Sequence, residues 1–246
     1  MKTVVLVSGA RHPVSRRPAL TRLEAQAASL AAKLGGTVRG LHAGPSDDQL
    51  REALGHGLGE ADWLEIEDSV DPVPALIDHL KAAAPDIVIA GRRGEGTGDT
   101  GLVPYALAEA LGRPIIADVV GVSPGAESGT VSIEQALKKG ARRRLVVRLP
   151  VVVTIHPLAP PPSPFAFAAA RRGTIRHERV AAADPLPAEA SSFTERPYRA
   201  RPKMMRQAGA GQAAEGKAVL VGPTPEEAAE RILAFLEDNG IRRYGT

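Results

Sequence analysis

Two short blocks of uninterrupted apolar residues, Val4–Val7 and Ile87–Ala90, constrain this chain more than any other feature. Each is one strand long and rich in β-branched residues. Neither shows the polar alternation of a strand with one wet face, so each suits a parallel strand covered on both sides. Between them the period becomes helical: Leu20, Leu23, Ala27, Leu30 and Leu34 recur at steps of three and four, and Gly35-Gly36 ends the run. Thr37 to His42 reads as a second strand. Gly44-Pro45-Ser46-Asp47 is a turn offering an N-cap to a helix that carries Leu50, Leu54 and Leu58. A strand from Asp62 to Ile66 and a helix from Val73 to Ala84, with Leu76, Ile77 and Leu80 inward, complete the alternation before Pro85-Asp86 breaks it. Strand and helix in this succession predict an α/β fold: a parallel sheet with flanking helices and right-handed crossovers.

After Ala90 a helix is expected to place Leu102, Ala106, Leu107, Ala110 and Leu111 inward. From Ile115 to Thr154 short strands alternate with turns such as Ser123-Pro124-Gly125 and Lys139-Gly140. Val131–Ala136, Leu145–Arg148 and Val151–Thr154 are expected to form an antiparallel extension of the sheet. Residues 157–164 hold five prolines and exclude a helix or central strand. From about 181 to 216 periodicity is weak and the chain reads as an extended arm. A strand at Lys217–Val221 and a helix at Pro225–Glu237 follow, ended by Asn239-Gly240. The expected division is an α/β nucleotide-binding domain over 1–180 and a C-terminal arm with its strand and helix over 181–246.

Composition narrows the function. The chain has 246 residues, no cysteine and a formal charge of only +3, from 31 basic and 28 acidic residues. Disulfides, thiolate nucleophiles and cysteine-held metals are excluded, and nothing marks a dedicated nucleic-acid binder. Four Phe, three Tyr and one Trp are thin material for stacking bases. The opening apolar run is too short for a signal peptide, and no stretch reaches the ~20 apolar residues of a membrane span. A soluble, cytoplasmic protein without membrane insertion is expected.

The glycine-rich segment Gly91–Gly101, five glycines in eleven residues, follows a central strand and opens a helix. Glycines let backbone approach a phosphate closely, and helix N-terminal amides point at the anion. The spacing is neither the dinucleotide fingerprint nor a P-loop, so a surface loop without a ligand stands beside the nucleotide reading. Arg92 and Arg93 could pair a phosphate or be solvated. Asp99 could cap a helix begun by Thr100. Of six histidines none is paired at metal-ligand spacing. His42, at a strand end, is the best candidate for a site role, against an ordinary structural one. No Gly-x-Ser-x-Gly elbow supports a hydrolase triad, and without a metal-binding or acid–base constellation a nucleotide-dependent ligase or hydrolase has little support. Basic clusters at Lys138-Lys139, Arg142–Arg144 and Arg196–Arg206, the last interleaved with Tyr198, Met204 and Met205, are either solvated surface or an arm across a partner subunit.

The ordered features resemble the electron transfer flavoprotein beta subunit family. Val4–Arg11 is similar to its opening strand and basic turn. Gly40-Leu41-His42-Ala43-Gly44-Pro45 and Gly59-Glu60-Ala61-Asp62 resemble its second strand and Gly-Ala-Asp. Pro85-Asp86-Ile87-Val88-Ile89-Ala90-Gly91 resembles its central strand, Gly98-Asp99-Thr100-Gly101 its nucleotide loop, and Leu149-Pro150-Val151-Val152-Val153-Thr154 its Leu-Pro-x-Val-Val-Thr strand.

The resemblance implies an adenine nucleotide alpha hydrolase-like fold and structural AMP bound by Ser8, Ala43, Gly91, Thr97, Gly98, Asp99, Thr100, Gly101, Leu102 and Val103, with no catalytic residue. It implies an alpha subunit that holds most of a shared FAD, a flavin dehydrogenase donor docked through Leu158, Phe165 and Phe167, and a quinone-linked acceptor oxidoreductase. Three departures stand out. Gly91-Arg92-Arg93-Gly94-Glu95-Gly96 replaces a Gly-Lys-Gln-Ala-x-Asp run, Leu102 replaces a frequent glutamine, and the docking loop is short and proline-rich, which suggests a dedicated dehydrogenase. The alternative reading is an adenine-nucleotide-binding module similar to the universal stress proteins.

Overall fold

The computed structural model describes residues 1–10, 17–67, 70–93, 101–180 and 222–240. They fall into two compact units, Met1–Phe193 and Thr194–Thr246. In the first, strands β1 (Lys2–Leu6), β2 (Thr37–Gly44), β3 (Glu60–Glu65), β4 (Ile87–Gly91), β5 (Ile115–Pro124), β6 (Thr130–Ala136), β7 (Arg142–Arg148), β8 (Val151–Ile155) and β9 (Thr174–Arg179) form one sheet. Its order is β7-β6-β5-β8-β4-β1-β2-β3-β9. The pairs from β5 through β9 along this order are parallel, and β6 and β7 add the antiparallel extension.

Alternation along the strands divides the interior into two cores. Val5, Ile87, Ile89, Val151, Val153 and Ile155 face helices α1 (Arg22–Leu34) and α2 (Asp48–Gly55). Val4, Leu6, Leu41, Leu64, Val88 and Val152 face α3 (Pro72–Ala83) and α4 (Val103–Ala110). This is the two-sided burial that the apolar blocks require. Helix α1 starts at a capping box: Thr21 accepts the N–H of Glu24, and the Glu24 carboxylate accepts the N–H of Thr21. Gly35 and Gly36, with φ of 71° and 79°, turn the chain after it.

Several expectations are corrected. Strand β8 is not part of the antiparallel extension; it lies between β4 and β5, parallel to both, because all five of its residues are buried. Leu102 is 63% exposed and lies outside α4, and Ala110 is exposed. The inner face of α4 is Pro104, Leu107 and Ala108 instead. Leu58 is buried but lies past the end of α2. Helix α5 (Phe167–Arg172) and edge strand β9 have no counterpart in the sequence reading. In the second unit, α6 (Pro225–Asp238) matches its expected span, whereas the arm and the strand expected at Lys217–Val221 lie outside the described residues.

Candidate functional site

The connection reverses direction between β1 and β4: β1 leads outward to β2 and β3, and the chain returns to β4 on the other side of β1. Crevices at such reversals, beyond the carboxyl ends of the strands, are where open α/β sheets bind ligands. The register brings the expected residues there. Val5 pairs with Gly40 and with Ile89, so Ser8, Ala43 and Gly91 leave their strands at one level. Thr97, Gly98, Asp99 and Thr100 lie outside the described residues, while Gly101, Leu102 and Val103 stand at the start of α4.

Helix α4 starts at Val103, with Leu102 at the N-cap position. The cap expected at Asp99 and the helix start expected at Thr100 lie outside the described residues. The first turn donates the N–H groups of Tyr105 and Ala106 to the Leu102 carbonyl, and Pro104 has no N–H to offer. Gly101 has φ +67°, and a Cβ there would come within 3.2 Å of the Arg92 carbonyl oxygen. At Gly91 a Cβ would lie 3.2 Å from the Arg93 carbonyl oxygen and 3.5 Å from Leu23 Cβ. The positive φ favours glycine at Gly101, where the two ends of the loop approach each other, and a side chain at Gly91 would be tight.

The exit of β1 is tied to α1. Glu24 accepts the Ser8 N–H at 2.6 Å and the Thr21 N–H at 3.2 Å. Burial pushes its carboxyl above the ordinary range, and these hydrogen bonds only partly offset that. Ser8 Oγ is buried beside this carboxylate and closes no well-formed hydrogen bond. The Ser8 hydroxyl and the Glu24 carboxylate thus place polar groups at this edge of the sheet, beside the two ends of the glycine-rich loop.

His42 is structural. It is 2% exposed, its Nδ1–H donates to the Val7 carbonyl at 2.8 Å, and burial pushes its pKa below the usual imidazole value. A Cβ at Gly44 would lie 2.5 Å from its Nε2, so the ring fills the bend after β2.

The proline-rich segment is pinned to the helices beneath it. Gln26 Nε2 donates to the Ala159 carbonyl at 2.7 Å, Ser163 N–H donates to Ser29 Oγ at 2.8 Å, and Ala166 N–H to the Gly55 carbonyl at 2.8 Å. Phe165 packs edge-on to His56 and occupies the space that a Cβ at Gly55 would need. Leu158 and Phe167 point outward, 62% and 67% exposed, with the Arg171 guanidinium 5.9 Å from the Phe167 ring centre. Of the three residues expected at a docking surface, Phe165 is thus partly engaged within the fold.

Sequence reasoning missed a charged groove of about 670 Å³ on the α3 face. Arg39 grips Asp62 through two hydrogen bonds of 2.8 and 2.9 Å and also pairs with Glu60; His79 lies 3.5 Å from Asp62. Burial would raise the Asp62 carboxyl, but hydrogen bonds from His79 and Arg39 outweigh it and hold it down at about 2. Arg39, His79 and Arg176 meet Asp62 here, and His79 also meets Glu178, so these pairs tie β2, β3, β9 and α3 together.

Among the described residues no cluster of His, Cys, Asp or Glu could hold a metal, and no helix is long and apolar enough to cross a membrane. A family model described as the electron transfer flavoprotein domain matches residues 13–184. The chain is 36% identical over 260 residues to the electron transfer flavoprotein subunit beta of Chromohalobacter salexigens, an alignment covering 99% of this chain and 96% of that protein. With the nine-stranded, largely parallel sheet, these matches show that the chain belongs to the electron transfer flavoprotein family, as a beta subunit.

Proposed function

We propose that this beta subunit binds AMP as a structural ligand at the crevice between β1 and β4 and completes the enclosure of an FAD held mainly by an alpha subunit. The observation that carries the reading is the convergence of Ser8, Ala43, Gly91 and the start of α4 at one edge of the sheet. Backbone amides of the loop and of Gly101, Leu102 and Val103 meet the phosphate, with Thr97, Gly98, Asp99 and Thr100 on the same segment. The FAD supplies the electron chemistry when bound. The chain's own part is to position and enclose, and no residue of it acts as a general acid or base.

Leu158 and Phe167 form the apolar anchor for a dedicated flavin dehydrogenase, whose electrons pass on to a quinone-linked oxidoreductase of the respiratory chain. The site of action is the cytoplasm. The alpha subunit also covers α6, which starts at a capping box and presents Ala228, Ile232, Phe235 and Leu236 on one side while burying none of its residues. The family match favours this reading over a universal-stress-like module.

The test is to co-express the chain with an alpha subunit, purify the complex, and release and quantify its nucleotides. One FAD and one AMP per complex are expected, and no FAD on the isolated chain. A complex carrying FAD without any adenylate would overturn the AMP assignment; an isolated chain with stoichiometric FAD and its own turnover would overturn the shared-flavin one.

A further inference from the structure

Gln26 lies between two alanines on the inner side of α1 and is fully buried. A buried carboxamide costs free energy unless its polar atoms find partners. Its Nε2 donates to the Ala159 carbonyl at 2.7 Å and lies 3.2 Å from the Pro160 carbonyl and 3.4 Å from that of Pro157. Three carbonyls around one end identify that end as the NH2 group, the only donor the side chain has. The Oε1 is buried too and has no hydrogen-bond partner among the described residues. A methionine would fill the same space without that penalty, so the donor end accounts for the glutamine.

The three carbonyls lie on either side of Leu158 in the chain. The turn that carries Leu158 is closed by the Ala159 N–H, which donates to the His156 carbonyl at 2.8 Å, and the Leu158 N–H donates to His156 Nδ1 at 3.1 Å. Ala159 packs into the core, whereas Leu158 is exposed. The carbonyls before and after Leu158 are drawn down onto Gln26 while its side chain faces away. Pro160, Pro161, Pro162 and Pro164 have no N–H, so a strand ladder cannot hold the chain that follows.

We infer that Gln26 is the positioning residue of the Leu158 anchor: it holds this turn ready, with Leu158 outward, before a flavin dehydrogenase arrives. The assignment rests on the docking reading above. A side chain already held in place loses little freedom on association, whereas ordering a loose loop at an interface weakens binding. Promiscuous surfaces are flexible and re-pack, so a turn fixed from beneath suits a single partner. The far end of the segment is held independently. Ser163 N–H donates to Ser29 Oγ at 2.8 Å, and His56 Nδ1–H donates to the Ser163 carbonyl at 2.9 Å. Loss of the Gln26 contacts therefore frees the Leu158 turn and leaves Ser163 in place. Gln26 acts through Leu158 and touches no partner itself.

The test uses the complex with the alpha subunit and the variant Gln26→Met. Methionine keeps the side chain's length and removes both the donor and the unpartnered oxygen, so the fold is retained. Amide hydrogen exchange is expected to quicken about tenfold or more at Leu158 and Ala159 and to keep its wild-type rate at Ser163. Electron transfer is read from initial rates of flavin reduction with the dehydrogenase as the varied substrate. The probe is the member of a panel of purified flavin dehydrogenases, oxidising amines or acyl thioesters, that reduces the wild-type complex fastest. Gln26→Met is expected to raise its KM about threefold and Leu158→Ala about fivefold, with kcat and FAD content unchanged. Because one residue acts through the other, the double variant is expected to match Leu158→Ala within about twofold, short of the product of the two effects. Unchanged exchange at Leu158 and Ala159, an unchanged KM in Gln26→Met, or multiplying effects in the double variant would each overturn the positioning role. A wild-type KM in Leu158→Ala, or a wild-type complex that no panel member reduces, would instead defeat the docking reading and the anchor with it.

Discussion

Glu24 Oε1 accepts the backbone N–H of Ser8 at 2.6 Å, so one buried carboxylate ties the first turn of α1 to the exit of β1. It does so at the reversal point of the sheet, on the residue that opens the candidate nucleotide crevice. The arrangement stiffens the site and keeps a charge in a place that resists it.

That charge has a pH signature. The Glu24 carboxyl titrates above its unfolded value of 4.5, so the native state binds the extra proton and stability falls as pH rises from 4.5 through the raised value. Relative to Glu24→Gln, the wild-type complex is therefore expected to gain apparent Tm as pH is lowered from about 8 toward 4.5. Parallel melting curves for the two proteins across that range would remove the carboxylate from this account.

His42 has the opposite dependence. Its folded pKa lies below the unfolded 6.5, so the unfolded state takes up the proton first. Stability is full above 6.5 and is lost as pH falls from there toward the depressed native value. An asparagine side chain can keep a donor to the Val7 carbonyl without titrating. His42→Asn is therefore expected to abolish this slope at a cost of about 1–2 kcal/mol for lost ring packing. Denaturant unfolding at about pH 5 and about pH 7, on either side of the unfolded value, measures both quantities.

Asp62 couples β2, β3 and α3 through Arg39 and His79. Its depressed pKa gives stability that is present above 3.8 and lost as pH falls toward about 2. Asp62→Asn leaves Arg39 with Glu60 alone and is expected to cost about 2 kcal/mol at neutral pH, between the values for exposed and fully buried pairs. Urea unfolding would settle it, and an unchanged midpoint would show that the network contributes nothing.

Gly101→Glu places a side chain at φ +67°, within 3.2 Å of the Arg92 carbonyl, and a carboxylate beside the expected phosphate. The complex is expected to lose its AMP and about 1–2 kcal/mol of stability. Nucleotide content after purification is the measurement; retention of AMP in the variant would move the site elsewhere.

Leu158→Ala combined with Phe167→Ala removes the two most exposed apolar side chains of the pinned segment without opening the core. Flavin reduction by the donor dehydrogenase is expected to slow by about tenfold or more, with cofactor content and Tm unchanged. A rate equal to wild type would place the docking surface on another face.

The local code of this chain was sufficient for the alternation of strands and helices, because an apolar block of four and a helical repeat each state their burial without reference to anything distant. The glycine-rich loop was equally legible as the place where backbone must come close to backbone or to a ligand. What only tertiary contact decided is where neighbours were needed to give a residue its meaning. Strand β9, Thr-Ile-Arg-His-Glu-Arg, has no apolar alternation; it becomes a strand because His177 stacks on Trp63 at 4.3 Å and Arg179 meets Glu65 across the pairing. Strand β8 resembles the hairpin strands before it in sequence, and its central place follows from pairing with β4 and β5. Leu102 fits the helical repeat yet is exposed, because α4 starts one residue later and turns that side outward. Gln26 and Ala159 are separated by 133 positions, and no periodicity links them. Their meeting depends on α1 and the end of β8 packing on the same face of the sheet, a relationship that exists only once the sheet has formed.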